Sequence, residues 1–188
     1  MEGIFTLPYS EFEAVRQFQK LFPKNKGYSV FVPVSRQQAG IDFPLLNCKS
    51  GRTLRVQLKS SRAYIREGAK HFIRLWYNNF LQRYYRGVAD VYVFFGLYPV
   101  YTHKRKITEK AKFWKSVILV FEDAEMERML HRLRTKAGKM DRFFSVGFDA
   151  FDFREPERVY GTRGQIAGTD LSRHLLRNKV SRLRRILG

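Results

Sequence analysis

Between residues 11 and 22, Phe12, Val15, Phe18, Leu21 and Phe22 recur at the three- and four-residue spacing of one helix face. Pro8 and Pro23 bound this stretch, which predicts a first helix. The pattern then changes to short extended runs at 28–34, 41–47 and 53–60, separated by the polar stretches SRQQAG and CKSGR. Such runs predict a three-stranded meander. The basic stretch SRAYIREGAK leads into HFIRLWY, a predicted fourth strand, and then NNFLQRYYRG, a predicted short helix ending at Gly87. Residues 90–98, DVYVFFGLY, are apolar on both faces and rich in β-branched and aromatic types, as expected of a strand in the middle of a sheet. KSVILVF predicts a further strand, and EDAEMERMLHRLRTK a helix whose acids come first and bases last, matching the helix dipole. RFFSVGFDAF predicts a last strand, VYGTRGQIAGTD a loop and LSRHLLRNKVSRLRRIL a closing helix. A length of 188 residues is enough for one sizeable core in a single domain.

Composition adds a partner. Hydrophobic residues make up 44% of the chain and aromatics 15%, so the charge decorates a folded body. Thirty-six Lys and Arg stand against 17 Asp and Glu, a formal net charge of +19. That surplus exceeds what solubility requires and points to a polyanion, because each cation placed on a phosphate releases condensed counterions. An anionic membrane surface is the competing partner, but no apolar run approaches the roughly 20 residues that span a bilayer, and no membrane insertion is expected. The start, MEGIFTLPYSEFEAV, lacks the basic and apolar regions of a secretory signal, which predicts a cytoplasmic, nucleoid-associated protein. With one cysteine, Cys48, and four scattered histidines, no internal disulfide and no zinc spacing is expected, so a metal would be held by oxygen.

One segment carries candidate chemistry. GIDFPLLNCKSGRTLRVQLKSSR places Asp42 at the start of one strand and Gln57 and Lys59 at alternate positions of the next. Alternation sends Gln57 and Lys59 to one face and Val56 and Leu58 to the other, and a hairpin brings Asp42 alongside. A carboxylate, an amide oxygen and an ammonium on one face suit phosphodiester hydrolysis: Mg²⁺ takes hard oxygens, and Lys can orient or activate the attacking water. Each residue alone has a plainer reading, Asp42 as a strand-flanking acid bonded to nearby backbone and Gln57 and Lys59 as a solvated strand face.

The helix, the meander, Gly40 before Asp42 and the run RVQLKSS together resemble the PD-(D/E)XK nuclease superfamily. The resemblance covers about the first 60 residues and implies an α/β fold with a restriction-endonuclease-like core: a mixed central sheet flanked by helices, with Mg²⁺ dependence for which Mn²⁺ can substitute, and cleavage of DNA. It makes Asp42 and Gln57 metal ligands and Lys59 catalytic, within a core of about 8–100; residues 101–188 would be peripheral strands and helices carrying basic DNA-contacting elements. Gln57 stands where the commonest pattern has Glu, which weakens the metal site by one charge, although some branches are similar in using Gln. Ile41 stands where Pro is common. Members that use a helix carboxylate direct it at the metal, and two candidates exist here. A helical wheel puts Glu11 on the stripe of Val15, Phe18 and Phe22, and Glu13 nearly opposite, where Ser10 and Glu13 fit a capping box. Glu11 is therefore the expected fourth site residue, and a further metal ligand.

Double-stranded DNA is the expected partner. Lys49, Arg52, Arg62, Arg66 and Lys70 are expected to surround the centre with positive charge, and Lys104, Arg105 and Lys106 to form a loop contact. In the closing helix Leu171, Leu175, Val180, Leu183 and Leu187 form an apolar stripe, leaving Arg173, Arg177, Arg182 and Arg185 on a basic face for phosphates. Small enzymes of this kind cut two strands as homo-oligomers, so a dimer or tetramer is expected, of restriction or homing type rather than a junction resolvase. A nucleic-acid-binding protein without catalysis, derived from a nuclease fold, and a junction-resolvase-like structure-specific nuclease are the alternatives.

Overall fold

The computed structural model describes residues 9–33, 40–65, 72–78, 84–100, 113–135, 137–141, 143–150 and 155–188. Helix α1 (Tyr9–Leu21) precedes strands β1 (Tyr28–Val30), β2 (Phe43–Asn47) and β3 (Thr53–Ile65), the predicted meander. Then follow β4 (Phe72–Asn78), β5 (Val91–Val100), β6 (Phe113–Glu122), α2 (Asp123–Arg132), β7 (Phe143–Asp149), the short β8 (Tyr160–Gly161) and α3 (Leu176–Leu187).

A five-stranded mixed sheet runs β1-β2-β3-β5-β6. All its pairs are antiparallel except β3 with β5, which run parallel from Val56↔Val91 to Arg62↔Leu97. β3 then leaves this sheet: Ala63–Ile65 pair with β4, which pairs with β7, and β7 with β8. The result is α/β with a curled sheet rather than one flat layer. β3 outruns its predicted end at Ser60 because Ser61 binds the next strand directly, its hydroxyl donating to Trp76 O at 2.8 Å and accepting from Trp76 N at 3.0 Å. Half of the basic stretch SRAYIREGAK is therefore strand.

Two cores lie on opposite faces of the five-stranded sheet. On one, Val56, Leu58, Val91, Val93 and Phe95 meet Ala14, Val15 and Phe18 of α1 and Val180, Leu183 and Leu187 of α3. On the other, Tyr92, Phe94 and Phe121 meet Met126 of α2 and the inner face of the second sheet, Ile73, Leu75, Tyr77, Phe144 and Val146. Every residue of β5 from Val91 to Phe95 is buried, as predicted for a central strand. Strand β6 and helices α2 and α3 thus supply core as well as periphery.

Three local expectations change. Phe12 is 57% exposed, and Ala14 takes the buried place on α1. The predicted helix before Gly87 falls partly on residues 79–83, outside the described ones, while 84–87 are irregular chain and turn. Helix α2 opens with a capping box of Glu122 and Glu125, with Glu122 N–H donating to the Glu125 carboxylate at 2.9 Å.

Candidate active site

Asp42 is set in place by the β2–β3 register. Phe43 pairs with Val56, Asp42 N–H donates to Val56 O at 2.8 Å, and Asp42 Oδ2 accepts the Leu58 N–H at 2.5 Å. The side chain thereby prolongs the ladder by one rung and is held beside Gln57 at the mouth of the strand pair. Gly40, two residues earlier, has φ +89°, and a Cβ there would meet Val88 and lie 3.7 Å from Gln57 Nε2, so the approach to the site needs a residue without a side chain.

Gln57 and Lys59 share a face, as alternation requires: their parallel partners are Tyr92 and Phe94, while Val56 and Leu58 point to the α1 side. Gln57 is 7% exposed and Lys59 half-buried. Two residues beyond Lys59, the Ser61–Trp76 bonds mark where the two sheets part. The structure therefore brings Asp42, Gln57 and Lys59 to one strand end. Glu11 stands differently: it is half-buried in the first turn of α1, and that helix packs on the opposite face from Gln57 and Lys59. Glu13 is the more buried of the two glutamates, contrary to the wheel. Its carboxylate is held by Arg16 Nε and Nη2 at 2.6 and 2.7 Å and by Gln17 Nε2 at 2.7 Å. These bonds, with that of Arg16 first, hold its pKa below the ordinary value. The helix begins at Tyr9, so Ser10 lies inside it rather than at its cap.

The expected ring of cations is redistributed. Lys49 and Arg52 are not beside the centre: they lie on the β2–β3 hairpin, at the far end of both strands from Asp42. This hairpin receives the end of α3 instead, through Asn47 Nδ2 and Ser50 Oγ to Leu187 O and Arg52 Nη1 to Ile186 O. Donors and a cation on the last carbonyls of a helix complement its dipole. Arg62 is in β3, paired with Leu97. Arg66, Lys70, Lys104, Arg105 and Lys106 lie outside the described residues.

Helix α3 keeps a less open basic face than its sequence implies. Arg177 pairs with Glu155 at 3.2 Å and Arg182 with Glu122 at 2.9 Å. Lys179, 6% exposed, lies 2.6 Å from Glu125 and 3.4 Å from Glu122. Arg173 and Arg185 are exposed. Besides Glu155, the acids answering this helix are those of the α2 capping box, 54 to 60 residues away in sequence, and the docking of α3 against β6, where Leu175 bridges to Leu119, brings them together.

Sequence reasoning also missed Asp90, which mirrors Asp42 on the other side of β3. Asp90 Oδ2 accepts the Arg55 N–H at 2.7 Å, and Asp90 Oδ1 accepts Arg55 Nη2 at 2.8 Å. Burial acts to raise the Asp90 pKa, but the Arg55 bonds outweigh it and hold it below the ordinary value. The shared signal is an aspartate just before an apolar strand, DF and DV. Asp42 thus makes the backbone bond of a strand-flanking acid, and what sets it apart is its neighbours, Gln57 and Lys59.

Matched against family models, curated proteins and solved structures, the chain resembles none of them. As to metal, no group of three or more His, Cys, Asp or Glu that could hold an ion occurs among the described residues. The donor set at Asp42 and Gln57 fits a hard cation that keeps much of its water and shares phosphate oxygens, the usual manner of Mg²⁺, and does not fit an ion enclosed by protein.

Proposed function

We propose that the chain is a divalent-metal-dependent DNA endonuclease with a restriction-endonuclease-like core of the Gln-x-Lys kind, acting as a homo-oligomer of restriction or homing type. The observation that carries this reading is the joint placement of Asp42, Gln57 and Lys59 where β2 begins alongside the middle of β3, which runs parallel to a buried β5 after an antiparallel meander. Leu58 N–H holds one oxygen of Asp42, leaving Oδ1 as the donor that, with the Gln57 amide oxygen, would hold Mg²⁺. The bound ion would supply Lewis-acid polarisation of a phosphate and a water of lowered pKa. Lys59 would orient that water and answer the charge that develops on the phosphate. Glu11 is a further ligand in this reading only if a first-turn side chain reaches round the strand ends. The +19 charge supplies the affinity for duplex DNA.

Plasmid cleavage tests the proposal. Cutting is expected with Mg²⁺ or Mn²⁺ and not with EDTA, and Asp42→Ala and Lys59→Ala should each lower the rate by about 10²-fold or more. Cutting that survives Lys59→Ala unchanged removes the assignment. The second reading, a nucleic-acid-binding protein without catalysis, is favoured by the single carboxylate beside Gln57. Metal-independent binding of many plasmid sequences, with no product from any, would establish it.

A further inference from the structure

The outer face of the second sheet has a composition unlike the rest of the surface. Along β4 the burial alternates: Ile73, Leu75 and Tyr77 point into the core, while Phe72, Arg74 and Trp76 lie half-exposed on the other side. Register places Tyr64 opposite Arg74 on this same outer side, and Phe143 opposite Asn78. The rings form a continuous row, Tyr64 to Trp76 at 5.9 Å and Trp76 to Phe143 at 5.7 Å. Guanidinium groups interleave with them: Arg163 lies 4.9 Å from the Phe143 ring centre and 5.8 Å from that of Trp76, and Arg74 lies 5.8 Å from that of Phe72. Asp141 holds Arg163 at 2.6 Å, which fixes its plane over the rings. Tyr64 is 56% exposed, so the end of this row of rings is open to a partner from solvent.

We infer that this face binds single-stranded DNA, its rings and guanidinium planes stacking unpaired bases and its arginines meeting the phosphates. Flat π surfaces with interspersed cations are the chemistry that recognises unpaired strands of any sequence, since every base offers a π-face. A paired duplex hides those faces. Two donors on this side, Arg74 Nε and Trp76 Nε1, are buried with no hydrogen-bond partner among the described residues. Charge agrees, because the protein is a polycation. The choice of DNA over RNA rests on the proposed nuclease reading; the stacking itself does not. A nuclease that opens or recognises a distorted site would hold the displaced strand here.

The two tryptophans, Trp76 and Trp114, make the test direct. In full-length protein carrying Trp114→Phe, emission reports Trp76 alone. Titration with oligothymidylate of about sixteen nucleotides in EDTA should quench that emission saturably, whether or not the Asp42 centre cuts. Tyr64→Ala and Arg74→Gln, both at half-exposed positions, should each weaken binding about ten-fold while leaving the melting transition in place. Unchanged emission on oligonucleotide binding, unaltered affinity in both variants, or tighter binding of oligouridylate or duplex overturns the proposal. So does emission that changes with protein concentration alone, which would assign the face to a second copy of the chain.

Discussion

His174 lies against Phe121 with ring centres 4.0 Å apart and planes 21° from parallel, and it is 1% exposed. Burial lowers its pKa to about 4, with Lys179 and Arg173 acting in the same direction and Glu125, 3.7 Å away, and the carbonyl of Val120 opposing them. The imidazole is therefore neutral in the folded protein at pH 7, whereas the unfolded chain protonates it near 6.5. Between those values the unfolded state holds more protons, so stability is fully present above about 6.5 and falls as the pH drops towards 4. The Glu122 carboxyl, held below its ordinary value chiefly by its bond to Arg182, adds its own loss only below about 4.5. Urea unfolding between pH 7 and 5 isolates the histidine. His174→Phe, which keeps the stack on Phe121, should flatten the wild-type slope by up to about 1.4 kcal/mol per pH unit. An unchanged slope would place the titration elsewhere.

At the scale of elements, Gly96 decides how closely the two sheets approach. It sits in β5, paired with Ser61 and Val117, and a Cβ there would collide with the Leu75 side chain of β4, itself fully buried. Gly96→Ala is expected to destabilise by about 1–3 kcal/mol as an overpacked core does, read as a lower urea midpoint; Leu75→Ala in the same chain should recover part of that loss. Sequence alone carried α1, the meander, β5, β6, α2 and α3, because each shows its own period within a dozen residues. It did not carry the second sheet as a sheet. β4 pairs with β7 about 70 residues later, through Phe72↔Asp149 to Asn78↔Phe143, and no local pattern encodes such a partner. The candidate site was legible for Gln57 and Lys59, whose common face follows from alternation, and for Asp42, whose hairpin is short. Glu11 and Glu13 misled, because a wheel knows only the helix and not what covers its flank. Arg16 and Gln17 clasp Glu13, and this depends on rotamers rather than on phase. Lys49 and Arg52 misled for another reason: counted along the chain they are near Asp42, but the length of β2 lies between.

For the whole molecule, the excess of cations matters less by its size than by how much of it the fold already uses. In α3, Arg177, Lys179 and Arg182 face Glu155, Glu122 and Glu125, and Arg184 donates to Leu21 O at the end of α1. These residues tie α3 to the rest of the fold, and a phosphate must compete with a carboxylate to engage them. Arg185, exposed on the same helix, meets no such carboxylate among the described residues. If duplex DNA is the partner, binding should fall steeply with salt, by about 10³-fold or more between 50 and 200 mM for six or more phosphate contacts. The slope of log affinity against log salt counts those contacts. Arg185→Ala should then lower the slope by about one without moving the urea midpoint. Lys179→Met should do the reverse, leaving the slope alone while costing about 3 kcal/mol of stability, because the partly buried Glu125 loses its cation while Glu122 keeps only Arg182. A slope that drops equally in both variants would mean that the buried lysine opens to DNA, and that the ion pairs of α3 yield to phosphate rather than hold the helix in place.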